Sequence, residues 1–203
     1  MDVLTAAAPS LVYLYLCLEM NRETLFLPIE FPHLSELAIY GHFDDFDDTR
    51  VGKMPTLVNL RRLRIFGYGD DAAIFALPTC APYLTHLRLD RRNAYSTLFI
   101  STLKNVLHSS TYSPGQVDLK FPASLTKLLI HPGLVYRPMC GYGFMNKRRA
   151  EMALADLMAS DQRIFLLDHD PEGDKNIQLE GLEEWLDRND GKLAYWEEKR
   201  SED

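Results

Sequence analysis

The sequence predicts an α/β fold: a curved solenoid of about five or six degenerate repeats, with a parallel sheet on the concave face and helices or loops on the convex side. An apolar-x-x-apolar-x-apolar spacing occurs five times, and the first four middle leucines are 23, 26 and 24 residues apart. Such intervals are typical of leucine-rich repeats, in which each unit adds one short parallel strand. The five copies are Leu11-Leu14-Leu16, Leu34-Leu37-Ile39, Leu60-Leu63-Ile65, Leu84-Leu87-Leu89 and Leu125-Leu128-Ile130.

The first copy begins in an apolar stretch that a signal peptide could also contain. Asp2 stands where a signal peptide carries positive charge, however, and Tyr13 and Tyr15 alternate with leucines at the period of a strand. We therefore expect a first repeat, not an export signal. Prolines precede most copies: Pro9, Pro32 and Pro82 by two residues, and Pro122 by three.

Regular repeats are expected over about 8–92, and looser repeats that contain helices over about 93–190. The fourth and fifth middle leucines are 41 residues apart, which leaves room for a helix at 96–110. Its apolar residues at helical spacing are Phe99, Leu103, Val106 and Leu107.

Beyond the fifth copy we expect a helix at 146–159, a sixth strand at 163–167 and a last helix at about 179–188. The expected buried residues are Met152, Ala155, Leu157 and Met158 in the first helix, and Leu182, Trp185 and Leu186 in the last. Lys147, Arg148 and Arg149 should lie outside. Residues 197–203 should form a frayed tail.

Two convex segments have a distinct character. Residues 70–77 are expected to form a helix that ends at Pro78, and residues 44–48 carry four acids around Phe46, too crowded with like charge to be buried. No linker rich in Gly, Ser or Pro divides the chain, so we expect a single domain over 1–203.

Composition excludes several functional classes. The 203 residues are 46% apolar and 25% charged, as in a soluble globular domain, and the net charge of −7 argues against a general nucleic-acid binder. No apolar run approaches the roughly 20 residues of a membrane-spanning helix. Cys17, Cys80 and Cys140 are odd in number and widely spaced, which suits a reducing compartment, the cytoplasm or nucleus. Inert thiols are the simplest interpretation, and a reactive or metal-binding role stays open.

The spacing also predicts which side chains face the concave side. In each copy the residues between and just after the apolar triad point away from the core. The first row is Tyr13, Glu36, Arg62, His86 and Lys127. The second is Tyr15, Ala38, Arg64, Arg88 and Leu129, and the third is Cys17, Tyr40, Phe66, Asp90 and His131.

This face combines arginines with aromatic residues, the types that anchor protein interfaces. Arg62, Arg64 and Arg88 should form an exposed cluster whose mutual repulsion an acidic partner would relieve. Candidate partner-binding residues are Tyr13, Tyr15, Glu36, Tyr40, Arg62, Arg64, Phe66, His86, Arg88, Asp90 and Lys127. Three interpretations stay open: simple solvation of an exposed sheet, an acidic or phosphorylated protein partner, and single-stranded nucleic acid. We expect a protein partner, and neither nucleic acid nor a membrane.

No pattern predicts a catalytic, metal or cofactor site. Residues 168–174 imitate the start of a calcium-binding EF-hand loop, but the twelfth position is Leu179 where a bidentate Glu is needed, so an acidic turn is expected. The pairs Gly67-x-Gly69 and Gly141-x-Gly143 lack the third glycine of a dinucleotide site and are expected to be turns.

Several phrases resemble the leucine-rich region of the large fungal family of F-box-like proteins. They are Phe31-Pro32-His33-Leu34-Ser35-Glu36-Leu37, Cys80-Ala81-Pro82-Tyr83-Leu84-Thr85-His86-Leu87, Leu128-Leu129-Ile130-His131-Pro132-Gly133 and Trp185-Leu186-Asp187-Arg188 followed by Tyr195-Trp196. The resemblance implies a ubiquitin-ligase subunit whose N-terminal F-box bundle binds the Skp1 adaptor and whose repeats select the target.

The sequence departs from that family in two respects. The F-box is expected to be absent, because the first repeat begins at residue 11, so Skp1 would bind only a longer form that carries one. The chain would then be a truncated copy with no ligase role, a fragment, or a protein that works without the adaptor. The asparagine that usually follows each strand is also missing, so the turns must be built differently. Its positions hold Glu19, His42, Tyr68, Arg92 and Gly133.

We therefore expect a non-catalytic protein-interaction module that resembles the target-recognition region of an F-box protein. The alternative is an enzyme whose active site is assembled from distant loops.

Overall fold

The computed structural model describes residues 2–17, 29–43, 55–69, 78, 80–91, 96–108, 120–132, 141–167 and 186. Within these ranges the chain forms one six-stranded parallel sheet, with its strands in chain order, and three α-helices. The strands are β1 (Tyr13–Cys17), β2 (Glu36–Phe43), β3 (Arg62–Gly69), β4 (His86–Arg91), β5 (Lys127–Pro132) and β6 (Ile164–Leu166). The helices are α1 (Asp2–Ala7), α2 (Thr97–His108) and α3 (Gly141–Ser160), and a short 3-10 helix (Ala8–Ser10) follows α1. The predicted α/β class and the predicted sixth strand are confirmed.

The apolar triads build the core face of the sheet. Their middle residues lie in register on neighbouring strands, and the row continues into β6. The row is Leu14, Leu37, Leu63, Leu87, Leu128 and Ile164. All except the half-buried Leu14 are buried in one continuous hydrophobic cluster, since a single strand cannot bury its apolar face without a neighbour. The predicted order, direction and register of the five triads are confirmed.

A similar turn leads into each of the first five strands. In each, the backbone N–H of the first apolar residue of the triad donates to the carbonyl three residues earlier, as Leu34 does to Phe31 and Leu84 to Ala81. Pro32 and Pro82 occupy the second position of these turns, where the fixed φ of proline suits the turn. Pro9 occupies the same position in the first turn, whereas Pro122 occupies the first position of its turn.

Hydrogen bonds between successive turns hold the strands in register. The residue just before each of β2 to β5 donates its backbone N–H to the carbonyl of the residue just before the previous strand. Ser35 donates in this way to Val12, and Thr85 to Arg61. The hydroxyls of Ser35 and Thr85 donate to the same two carbonyls, at 3.1 and 2.9 Å. The Asn59 amide also donates to the carbonyl of Pro32 in the preceding turn. Side chains ahead of the strands thus satisfy turn carbonyls in this chain.

Helix α2 confirms the predicted inserted helix. Its apolar stripe lies against the core face of the sheet, with Phe99, Leu103 and Val106 buried and Leu107 half-buried. It packs against α3.

Helix α3 differs from its prediction in length and in orientation. It begins at Gly141, and its buried residues are Ala150, Leu154 and Leu157, which follow the helical spacing i, i+4, i+7. The expected burial of Ala155 is wrong, since that residue is exposed, and Met152 is 61% exposed. These two side chains project about 100–200° away from the buried stripe around the helix axis.

Asp161 connects α3 to β6. It is buried and accepts hydrogen bonds from both the backbone N–H and the guanidinium of Arg163, the latter at 2.6 Å from Nη2. These bonds lower the pKa of Asp161, and the same carboxylate raises the pKa of Arg163.

The predicted glycine turns are also wrong. Gly67 and Gly69 lie in β3, and Gly141 and Gly143 lie in the first turn of α3. The predictions for 44–48, 70–77, 168–174 and most of 179–188 fall outside the described residues. Leu186 is described and is 48% exposed, so its expected burial is wrong.

The chain divides into two compact units, Met1–His169 and Asp170–Asp203. The sheet and the three helices belong to the first, and Leu186 is the described residue of the second. The expected single domain over 1–203 stays a prediction. None of the described helices is long and apolar enough to cross a membrane.

Candidate binding face of the sheet

The side of the sheet opposite the core, called the polar face below, carries the three predicted rows in the predicted register. All eleven candidate residues lie in these rows. Phe165 of β6 extends the second row beside Leu129. The alternation of a strand and the parallel register together bring residues from five successive segments onto one surface.

Four residues of the first row are accessible. Tyr13 is 50% exposed, and Arg62, His86 and Lys127 are each partly exposed. Glu36 is buried, and its carboxylate Oε2 lies 3.8 Å from Nη1 of Arg62. The Lys127 ammonium lies 5.5 Å from the centre of the Phe165 ring, within the range of a cation–π contact.

The centre of the polar face is a buried ionic cluster formed by Arg64, Arg88 and Asp90. Their exposed fractions are 2%, 5% and 9%. Arg64 Nε donates to Asp90 Oδ2 at 2.6 Å, and Arg88 Nε lies 3.1 and 3.2 Å from the two oxygens of the same carboxylate. The expectation that Arg64 and Arg88 are exposed cations is therefore wrong, because a carboxylate on their own face binds both.

Other side chains surround this cluster. His131 Nδ1 lies 3.3 Å from Asp90 Oδ1. The Arg64 guanidinium lies 3.9 Å from the centre of the Phe66 ring, whose other neighbour is the tilted ring of Tyr40 at 6.3 Å. The ring contact and the hydrogen bond to Asp90 together restrict the conformations open to the Arg64 side chain.

The electrostatic balance keeps Asp90 ionised. Burial by itself raises the pKa of this carboxyl, but the charges of Arg64 and Arg88 and the hydrogen bonds from His131 and Arg64 lower it by more. The net result is a pKa far below the ordinary range of an aspartate.

His86 has the opposite environment, since cations flank it on both neighbouring strands. Partial burial lowers the pKa of His86, and the charges of Arg62 and Lys127 lower it further. Its Nδ1 lies 2.9 Å from the Thr85 hydroxyl. Tyr15, in the second row, has a raised pKa because of burial and of the neighbouring Cys17.

Sequence reasoning missed the role of Asp90 as the common partner of two arginines, and it left out His131 and Phe165 as candidates. One signal was available: Arg88 and Asp90 are two residues apart on one strand and so share a face. The spacing of the apolar residues does not indicate that side chains on that face are buried.

Among the residues that the structure describes, no group of three or more His, Cys, Asp or Glu side chains is placed to hold a metal ion. Cys17 is exposed and Cys80 half-buried, and neither forms a disulfide; Cys140 lies outside the described residues.

No family model, no curated protein and no solved structure matches this chain.

Proposed function

We propose that the chain is a non-catalytic protein-interaction module, a curved solenoid of degenerate leucine-rich repeats that binds a protein partner through the polar face. The observation that carries this proposal is the arrangement of that face. Accessible aromatic and basic side chains of the first row lie beside a buried, hydrogen-bonded ionic cluster.

Three features support the solenoid. The strands follow one another in chain order in one parallel sheet, similar turns precede the first five strands, and hydrogen bonds connect each turn to the next. Each repeat then contacts mainly its neighbours, which is the property that defines solenoids.

The distribution of side chains supports the polar face as the binding surface. The residues of α2 and α3 that are buried belong to the core cluster, so these helices cover the core face. On the polar face, Tyr13, Arg62 and Tyr40 are of the types that dominate interface energies, and all three are at least partly exposed.

A role in a ubiquitin ligase rests on the resemblance to F-box-like proteins alone. In that case the partner of the polar face would be the ligase target, and Skp1 would bind only through an F-box carried by a longer form.

The proposal is tested by capture of partners on the immobilised chain from an extract of the cells that express it. The double variant Arg62→Glu/Lys127→Glu should lose the captured proteins, because it reverses two charges on the accessible row. Capture by the unchanged protein should weaken as salt rises, since screening acts on exposed charges.

A matched control is the double variant Arg148→Glu/Arg149→Glu, which makes the same change in net charge on the exposed side of α3. It should retain the captured proteins. Equal capture by both folded double variants would place the binding site away from the polar face.

A further inference from the structure

The three basic residues of the first row stand side by side on adjacent strands. Arg62, His86 and Lys127 are in register on β3, β4 and β5, and all are partly exposed. Neighbouring strands lie about 4.8 Å apart, so the backbones of the outer two residues are roughly 10 Å apart. The longer arginine and lysine side chains can both reach an anion that rests on the imidazole between them.

Thr85 contacts the ring of His86. The Thr85 hydroxyl lies 2.9 Å from the carbonyl oxygen of Arg61 and 2.9 Å from His86 Nδ1. When the ring is protonated, both of its nitrogens are donors, so Nδ1 then donates to this hydroxyl and Nε2 is a donor as well.

The charges around His86 decide when it takes up that proton. Arg62 faces it from β3, Lys127 from β5, and Arg88, bound to Asp90, lies two residues along β4. The cations on both sides disfavour an imidazolium, as the lowered pKa of His86 reflects. An anion bound between them would reverse that effect. With His86 protonated, three positive charges stand against the one negative charge of Glu36.

We infer that this row is a docking site for a phosphate monoester on a partner protein, and that binding adds one proton to His86. The inference rests on the proposed function, since it takes the polar face as the binding surface. A phosphorylated side chain carries about −1.5 to −2 charges and three strong acceptor oxygens, which match the net charge and the three donors of the row. A carboxylate or a nucleic-acid phosphodiester offers only one negative charge.

Sulfate is the probe that isolates the proton on His86, because its charge is constant between about pH 6 and pH 8, whereas a phosphate monoester titrates near pH 6. Binding is followed by the NMR signals of the His86 ring at constant ionic strength. Sulfate should bind more tightly near pH 6 than near pH 8. Over the pH range between the pKa of His86 in the free protein and its pKa in the complex, the affinity should rise by up to about tenfold for each unit by which the pH falls.

Two variants test the assignment. His86→Gln should remove the pH dependence of sulfate binding, because an amide takes up no proton. His108→Gln, on the exposed end of α2, is the control and should retain the pH dependence. A short serine peptide should bind when its serine is phosphorylated, and more weakly when that serine is replaced by glutamate. The phosphopeptide should shift the NMR signals of the His86 ring in the same direction as sulfate does.

Sulfate and phosphopeptide that leave the His86 signals unchanged at both pH values would overturn the inference. So would binding that is independent of pH, or a short oligothymidine that binds more tightly than the phosphopeptide. If any of these outcomes occurred while Arg62→Glu/Lys127→Glu lost partner capture, the phosphate site would be disproved and the proposed function would still be supported. If this double variant also retained partner capture, both the phosphate site and the proposed function would be disproved.

Discussion

At the residue scale, the order of the polar face depends on Asp90. Its carboxylate joins Arg64 on the neighbouring strand to Arg88 on its own strand, and all three side chains are buried. Removing one partner of a buried ionic cluster is costly, because the charges that remain have lost a compensating charge and stay out of water.

Asp90→Asn should therefore destabilise the folded chain by about 3–5 kcal/mol, the range for breaking a buried ion pair. The amide keeps the size of the side chain but loses its charge. Urea unfolding followed by circular dichroism gives the change in the free energy of unfolding. Asp156→Asn, an exposed site on α3, is the control and should shift it by less than about 0.5 kcal/mol.

The pH dependence provides a second check on the same variant. The pKa of Asp90 is lower in the folded than in the unfolded chain, where it is near its ordinary value of 3.8. The carboxylate thus stabilises the fold fully above that value, and this contribution declines as the pH falls below it. The difference in stability between wild type and Asp90→Asn should be constant near neutral pH and shrink in acid. A difference that grew in acid would contradict the assigned ionisation.

The sequence predicted which residues share the polar face, but not how they interact there. Alternation and repeat spacing fix the face and the row of each side chain, so Arg64 and Arg88 were correctly placed. Their burial and their shared carboxylate depend on tertiary contacts that spacing does not encode. The accessible basic residues of this face are therefore Arg62, His86 and Lys127, and not Arg64 and Arg88.

At the element scale, the strands follow the apolar pattern closely and α3 does not. The register of Leu37, Leu63 and Leu87 could be predicted because a triad with fixed spacing leaves one way to bury three residues per repeat. In α3, alanine and methionine occur all around the helix, so the sequence allows more than one apolar stripe to be the buried one. The packing of α3 against α2 and β6 selects the one that contains Ala150 and Leu154.

Leu63→Ala should cost about 2–5 kcal/mol of folding free energy, because it leaves a cavity in the middle of the buried row. Thermal and urea unfolding measure the effect. Leu98→Ala, on the exposed side of α2, removes the same atoms from a site 66% exposed and should cost far less. Comparable losses from the two variants would mean that the row is not the centre of the core.

At the scale of the whole molecule, the parallel sheet separates two tasks. The core face and the helices supply stability, whereas the polar face presents side chains whose arrangement is fixed by the sheet and by the buried cluster. Composition and spacing predicted this division. They could not predict the identity of a partner, because the specificity of a binding surface depends on a few exposed side chains and not on the fold.

If the proposed relation to F-box-like proteins holds, the purified 203-residue chain should not bind Skp1 tightly, because in that family the F-box bundle, and not the repeats, contacts the adaptor. Co-elution in size-exclusion chromatography measures this. Fusion of an F-box bundle to the N-terminus is the positive control and should restore binding. Tight binding by the chain alone would mean that the adaptor can dock on the repeats.

The most direct test of the central claim is site-specific photo-crosslinking from the two sides of the sheet. A photoreactive phenylalanine replaces Tyr13 on the polar face in one variant and Leu98 on α2 in another, since both positions are well exposed. Each variant is irradiated together with the partner that the unchanged chain captures. We predict a covalent complex from the Tyr13 position and none from the Leu98 position. A complex from the Leu98 position alone would contradict the assignment of the polar face as the binding surface.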